Sequence, residues 1–333
     1  MLAVLSPLTA EFLLGDQYLQ GFQPAGTQIA MLLAFVLFYG MAAVLIRELG
    51  RRLRIGWPGL MLIALGFGLF EEGLLTQTLF NPHYLGLSLT APGHITALGI
   101  GVPWTVFVLS LHVIWSICTP IAIMEAWATR DGRPDVTPWL GRGAMIVCSV
   151  LFVVGAAAIC LFTMADSATP FVARPAQLIG AAIAAGLAIA AGLSRRGRQP
   201  EGVASAGRLG RRLAGWSVFG LIATTAFQLA DQLSSSHAWL SVAAMVLVWS
   251  AALLIIIRFR ADPLGLGIGA VATYAWVGMR PSIAAGAPAI IEQLVLIAIF
   301  AALLCWIVSR TAGRRSATSI AGSLTAAGQP PRR

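Results

Sequence analysis

Nine stretches of the chain stay apolar for about twenty residues each, the length an α-helix needs to cross a hydrocarbon layer roughly 30 Å thick. They run approximately over residues 27–46, 57–75, 102–127, 144–164, 176–193, 214–230, 239–257, 263–279 and 290–309. The eighth is short and rich in glycine (Gly265, Gly267, Gly269). Polar residues gather between these runs, so the pattern predicts an all-α, polytopic transmembrane helix bundle of about nine spans. Residues 27–310 then form the membrane domain, residues 1–26 an extracytoplasmic segment and residues 311–333 a disordered cytoplasmic tail. Within the first segment, residues 6–12 (Ser6 to Phe12) read as a capped, half-apolar helix lying on the outer face. No basic stretch or small-residue cleavage site marks residues 1–26 as a removable signal.

Composition agrees with lipid as the solvent. The chain is 58% hydrophobic and 11% charged over 333 residues, against about 25% charged in an ordinary soluble domain. That excludes a soluble enzyme, a nucleic-acid module and a disordered protein. The net charge of +9 changes the picture only through its placement: all 22 basic residues are arginine, in clusters between spans. With nine spans, 20 of the 22 fall on one side, leaving Arg174 and Arg280 on the other. The positive-inside rule therefore predicts the N-terminus outside and the C-terminus in the cytoplasm, in a bacterial cytoplasmic membrane. The partner implied is the bilayer, not nucleic acid. Cys118, Cys148, Cys160 and Cys305 lie inside apolar runs without metal-ligand spacing and read as small core residues.

Candidate chemistry lies in the ionisable groups placed within spans, which are costly there and mark functional sites. Glu71 and Glu72 lie in the second span, about 21 Å along its helix at 1.5 Å per residue. Two adjacent carboxylates in a medium of low dielectric suit acid–base work, proton transfer or cation binding. In the third span, Thr105, His112, Ser116 and Thr119 recur at spacings of seven, four and three, one polar stripe. His112 lies about 15 Å in from the outer end by helical rise, where an imidazole can take a proton, hold a metal or polarise water. In the sixth span Thr224, Gln228, Asp231 and Ser235 share a face, Glu292 opens the ninth, and Arg280 precedes it. Together these predict an outward-opening polar cavity lined by spans two, three, six and nine. Glu71, Glu72 and His112 are its candidate catalytic residues, and Gln228, Asp231, Arg280 and Glu292 its candidate substrate-binding residues. Which metal it takes, if any, stays open, a divalent ion such as zinc being one candidate. Arg47 or Arg142 can pair with Glu125 on the cytoplasmic side. Ala176, Gly180 and Ala184, at four-residue steps in span five, suit close helix packing, within the chain or in a homo-oligomer. No phosphate loop, dinucleotide fingerprint, HExxH or GxSxG occurs.

Two resemblances follow from these residues. The run Arg47-Glu48-Leu49-Gly50, Gly56-Trp57-Pro58-Gly59-Leu60, Phe70-Glu71-Glu72-Gly73-Leu74 and Phe80-Asn81-Pro82 resembles an uncharacterised family of bacterial and archaeal multi-pass membrane proteins, over roughly residues 1–130. A Glu-Glu pair on one span and a His on the next is similar to the CAAX-protease and bacteriocin-processing family of intramembrane proteases. That likeness implies Glu71, Glu72 and His112 as water activators or metal ligands. Thr76 stands where that family has Arg and Val108 where it has Phe, and no later span carries its HxxxN. The residues therefore leave an intramembrane hydrolase, a proton- or sodium-coupled transporter and a non-catalytic scaffold open, with the hydrolase favoured by the Glu-Glu/His set.

Overall fold

The computed structural model describes residues 1–15, 19–128, 135–165, 171–197 and 209–327. Ten helices carry the described chain. A short apolar helix, α1 (Leu2–Phe12), precedes α2 (Ala25–Arg52), α3 (Trp57–Leu75), α4 (Val102–Trp127), α5 (Arg142–Ala165) and α6 (Pro175–Leu193). There follow α7 (Leu209–Asp231), α8 (Ala238–Phe259), α9 (Pro263–Ala285) and α10 (Ala287–Ala327). The only strands among the described residues are His94–Ile95 and Ile100–Gly101, an antiparallel pair in the loop before α4. The bundle is all-α, and α2 to α10 coincide with the nine spans read from the sequence. The last helix also continues to Ala327, through part of the segment expected as a disordered tail.

Eight of these helices are long and apolar enough to cross a membrane; α9 is long enough but less apolar. The reason is its position. Its Gly265, Ala270, Val271, Thr273 and Tyr274 are buried against protein, so it needs little of the lipid-facing leucine and isoleucine that mark its neighbours. Glycine makes this possible: a methyl group at Gly269 would lie 2.5 Å from the Ser217 carbonyl oxygen, and one at Gly220 would lie 2.9 Å from that of Leu266. The α7 and α9 backbones thus touch where side chains would hold them apart. Burial divides the rest. About half or more of the membrane windows of α2, α3 and α4 is buried (50%, 56% and 61%), against 17–22% for α5, α6, α7, α8 and α10. The first three helices form an inner group with α9, and the others turn residues such as Leu187, Leu247 and Leu254 outward.

Two expectations change. The close seam between α3 and α6 runs one residue away from the expected stripe: Ala176 and Gly180 are exposed, while Ala181, Ala185 and Gly192 are buried. They meet Gly73, Gly66 and Gly59, spaced at seven residues; a methyl group on Gly73 would sit 2.7 Å from Ala181 Cβ. The small-residue pattern was right in kind, but four-residue steps in an alanine-rich helix fit two adjacent stripes equally well.

Second, α1 does not lie on a surface. Ser6 and Thr9 are fully buried, and Leu2, Leu5, Phe12 and Leu13 join the hydrophobic core. The helix enters the bundle because α2 and α4 leave room and a hydrogen-bond acceptor for it. Gly40 of α2 lies against the Ala3 backbone, with no space for a side chain. Pro120 lacks the N–H that would bond the Ser116 carbonyl four residues earlier, and Ser6 Oγ donates to that carbonyl at 2.6 Å.

Candidate functional site

Four helices depart from regular α geometry by widened, π-helical turns: Leu8–Phe12 in α1, Val36–Gly40 in α2, Glu71–Leu75 in α3 and His112–Cys118 in α4. Such turns are rare and frequently mark functional sites. Here all four meet at one place, and they carry Glu11, Tyr39, Glu71, Glu72, His112 and Ser116. In the widened turn of α3 two consecutive glutamates are both buried.

His112 sits between the two carboxylates. Its Nε2 lies 2.7 Å from Glu72 Oε1 and its Nδ1 3.2 Å from Glu71 Oε2. Gly68 permits the approach: a methyl group there would be 3.1 Å from His112 Cβ. Around this core, Tyr39 donates its phenolic hydrogen to Glu71 Oε1 at 2.5 Å and stacks its ring on the imidazole, centroids 5.9 Å apart at 17°. Thr78 and Thr76 both donate to Glu72 Oε2, Thr76 at 3.1 Å, and Trp104 Nε1 donates to Thr78 at 3.2 Å. Ser116 Oγ stands 3.3 Å from His112 Nδ1. Glu71, Glu72 and His112 are all buried.

One cavity of about 560 Å³ opens above the set, at the end of the bundle that carries the 76–101 loop and the α9 C-terminus. Glu72 and His112 line it; Glu71 does not. Its far wall includes Gln228 of α7 and Arg280 of α9, and its apolar walls come from Leu14, Phe107, Val108, Leu111 and Val277. Glu71, Glu72, His112, Gln228 and Arg280 are therefore brought to one place. Asp231 and Glu292 are not. The polar stripe of α7 turns away after Gln228, leaving Asp231 outside the cavity, and Glu292 accepts from Gln28 Nε2 at 2.9 Å beside a separate pocket of about 320 Å³. The cavity thus draws on spans one, two, three, six and eight with α1, in place of two, three, six and nine. Sequence reasoning missed Tyr39, Glu11 and Thr78. A phenol in the middle of an apolar span was a usable signal for Tyr39; nothing local marked the other two.

A metal could be held: one oxygen from each carboxylate and one imidazole nitrogen lie within 4.8 Å of one another. The present arrangement suits a proton better. One metal ion takes one nitrogen of an imidazole, whereas here the two nitrogens face different carboxylates. The imidazole thus stands between two carboxylates, hydrogen-bonded to Glu72 at the cavity and in charge contact with Glu71 behind it.

At the opposite end of α2 and α4 a second charged cluster is buried. Arg51 grips Glu125 with two hydrogen bonds (2.6 and 2.9 Å), and Arg47 Nε is 3.2 Å from the same carboxylate. Arg47 also donates to Glu48 at 2.6 Å and to the Asp135 carbonyl at 2.7 Å, with the Trp139 ring 3.2 Å above its guanidinium. Glu48 accepts from the backbone N–H of Trp139 and Leu140. The expected Arg47–Glu125 pair is present, and Arg51 supplies the fork that sequence reading assigned to no residue.

No curated protein and no solved structure matches the chain. A family model matches residues 1–326; it carries no activity, and it lends no support to the likeness with CAAX-proteases. The chain is an integral, multi-pass membrane protein and belongs to the family that this model describes, an uncharacterized membrane protein family.

Proposed function

We propose that the protein is an intramembrane hydrolase in which Glu72 activates a water molecule against a carbonyl group held in the cavity. One observation carries this reading: of the chain Glu72–His112–Glu71, only the first two members reach the cavity. Glu72 is positioned for the role. A carboxylate offers about four acceptor sites; Thr76, Thr78 and His112 occupy three, leaving one for water. In the reaction, a water O–H bond breaks, its proton moves to Glu72, and the hydroxide oxygen bonds to the carbonyl carbon. The leaving group departs with that proton, returned to it by Glu72, whose carboxylate His112 holds in place. Glu71, held by Tyr39, orients the imidazole. The arginine asymmetry supports a cavity opening outward from a bacterial cytoplasmic membrane.

Proton-coupled transport is the second reading, favoured by one feature. The end of the bundle opposite the cavity is closed by the buried Arg47/Arg51/Glu125 cluster, as an inner gate would be. One experiment separates the two without knowing the substrate. Membranes containing the wild type or Glu72→Gln are incubated in ¹⁸O-water, and lipid and peptide carboxylates are read by mass spectrometry. Hydrolysis places ¹⁸O in a product of the wild type that the variant fails to label. Equal labelling in both overturns the hydrolase reading, and Glu72-dependent proton flux in liposomes then supports transport.

A further inference from the structure

The cavity carries a second signal, independent of the glutamates, about what it takes. Gln228 is 6% exposed, lines the cavity, and its Nε2 has no hydrogen-bond partner among the described residues. A buried amide hydrogen without an acceptor is costly, and here the same wall supplies a reason to keep it. Arg280, at the cavity rim, is exposed and forms no hydrogen bond or ion pair among the described residues. Glu72, by contrast, is already held by three donors, and Glu11 has interactions of its own. The unmet polar capacity of these two walls is therefore a neutral amide, deep, with neither its hydrogens nor its oxygen bonded, and a cation near the rim; the one unpaired charge on them among the described residues is positive. Between them stand Phe107, Val108, Leu111, Leu14 and Val277, all apolar.

We propose that the ligand of this cavity is an amphiphile with an oxygen-rich, anionic head, carboxylate or phosphate. In this arrangement an acceptor oxygen takes the Gln228 amide hydrogens, the negative charge sits at Arg280, and the chain lies along the apolar wall. A volume of about 560 Å³ falls within the range of small-molecule sites, roughly 300–1,000 Å³. It holds a head group and the first part of a chain, not a folded polypeptide. The proposal rests on the hydrolase reading only for what happens next, since binding requires Gln228 and Arg280 but no water activation.

The test is binding to detergent-purified full-length protein, read as thermal stabilisation across a concentration series. Dodecyl phosphate and dodecanoate are compared with dodecanol, dodecylammonium and inorganic phosphate. The two anionic amphiphiles are expected to stabilise the wild type at concentrations about tenfold below dodecanol, the scale of one hydrogen bond to a charged group. Arg280→Gln removes that preference, and Gln228→Leu weakens both anions without restoring dodecanol. Glu72→Gln keeps the preference, so a failed ¹⁸O experiment leaves this result standing and the reverse. Inorganic phosphate binding as well as dodecyl phosphate would show a free-anion site and overturn the amphiphile. An unchanged preference in Arg280→Gln, or tightest binding by dodecylammonium, would overturn the anionic head.

Discussion

Two buried clusters of ionisable groups lie along α2 and α4, and they differ in what is left over. At one end Arg47, Arg51, Glu48 and Glu125 fold charge onto charge, with loop backbone at Asp135, Trp139 and Leu140 completing the shell. None of these residues lines the large cavity. At the other end, Glu71, Glu72 and His112 are equally buried, yet two of the three reach open volume and the neighbouring wall keeps an unused donor. Burial of charge is thus no guide to function by itself. A cluster whose charges are paired with one another ties a loop to two helices; a cluster that faces a cavity beside an unused donor is ready for a ligand.

The largest effect expected is on the closed cluster. Glu125→Ala leaves two guanidiniums, 0% and 4% exposed, without their shared carboxylate. Breaking a buried pair in this way costs about 3–5 kcal/mol, which a fall in the thermal midpoint in detergent will report. Replacing the pair together, Arg51→Met with Glu125→Leu, should recover much of the loss, because no lone charge remains buried. If Glu125→Ala were neutral, the cluster would not be a structural lock.

Glu72→Gln should do the opposite. The amide keeps the shape and can still bond Thr76, Thr78 and His112, so the midpoint should move by no more than about one hydrogen bond's worth, ~1 kcal/mol. Glu72-dependent ¹⁸O incorporation should nevertheless drop by about 10²–10⁴-fold, the usual contribution of a general base. A variant that unfolded as readily as Glu125→Ala would make the two ends alike and sink the contrast.

The sequence made most of the fold legible, because lipid imposes a length and an apolar character on each span that survive in the residue order. It also singled out Glu71, Glu72 and His112, since an ionisable group within a span stands out against its surroundings. What it could not convey depends on register across the bundle. Gln228 and Asp231 share a helical face on paper, yet only Gln228 reaches the cavity, because the neighbouring α9 and its glycines set where α7 turns away. The same holds for α1. Its half-apolar pattern fits an interface as well as a groove, and the choice rests on Gly40 and Pro120, far away in sequence.

The smallest effect tests the division of labour within the open cluster. Tyr39 lines the cavity, but its hydroxyl bonds Glu71 and not Glu72, so it acts on the base through Glu71 and the imidazole. Tyr39→Phe removes one hydrogen bond and retains the ring stacked on the imidazole. The loss should be about 1 kcal/mol in stability and less than about tenfold in rate, since tenfold corresponds to ~1.4 kcal/mol of barrier. Measured beside Glu72→Gln in the same ¹⁸O experiment, this variant ranks the two carboxylates. A small loss keeps Glu71 as the support and Glu72 as the base. A loss as large as that of Glu72→Gln would mean that Glu71 itself takes part in the proton transfer, and the roles of the two glutamates would have to be exchanged.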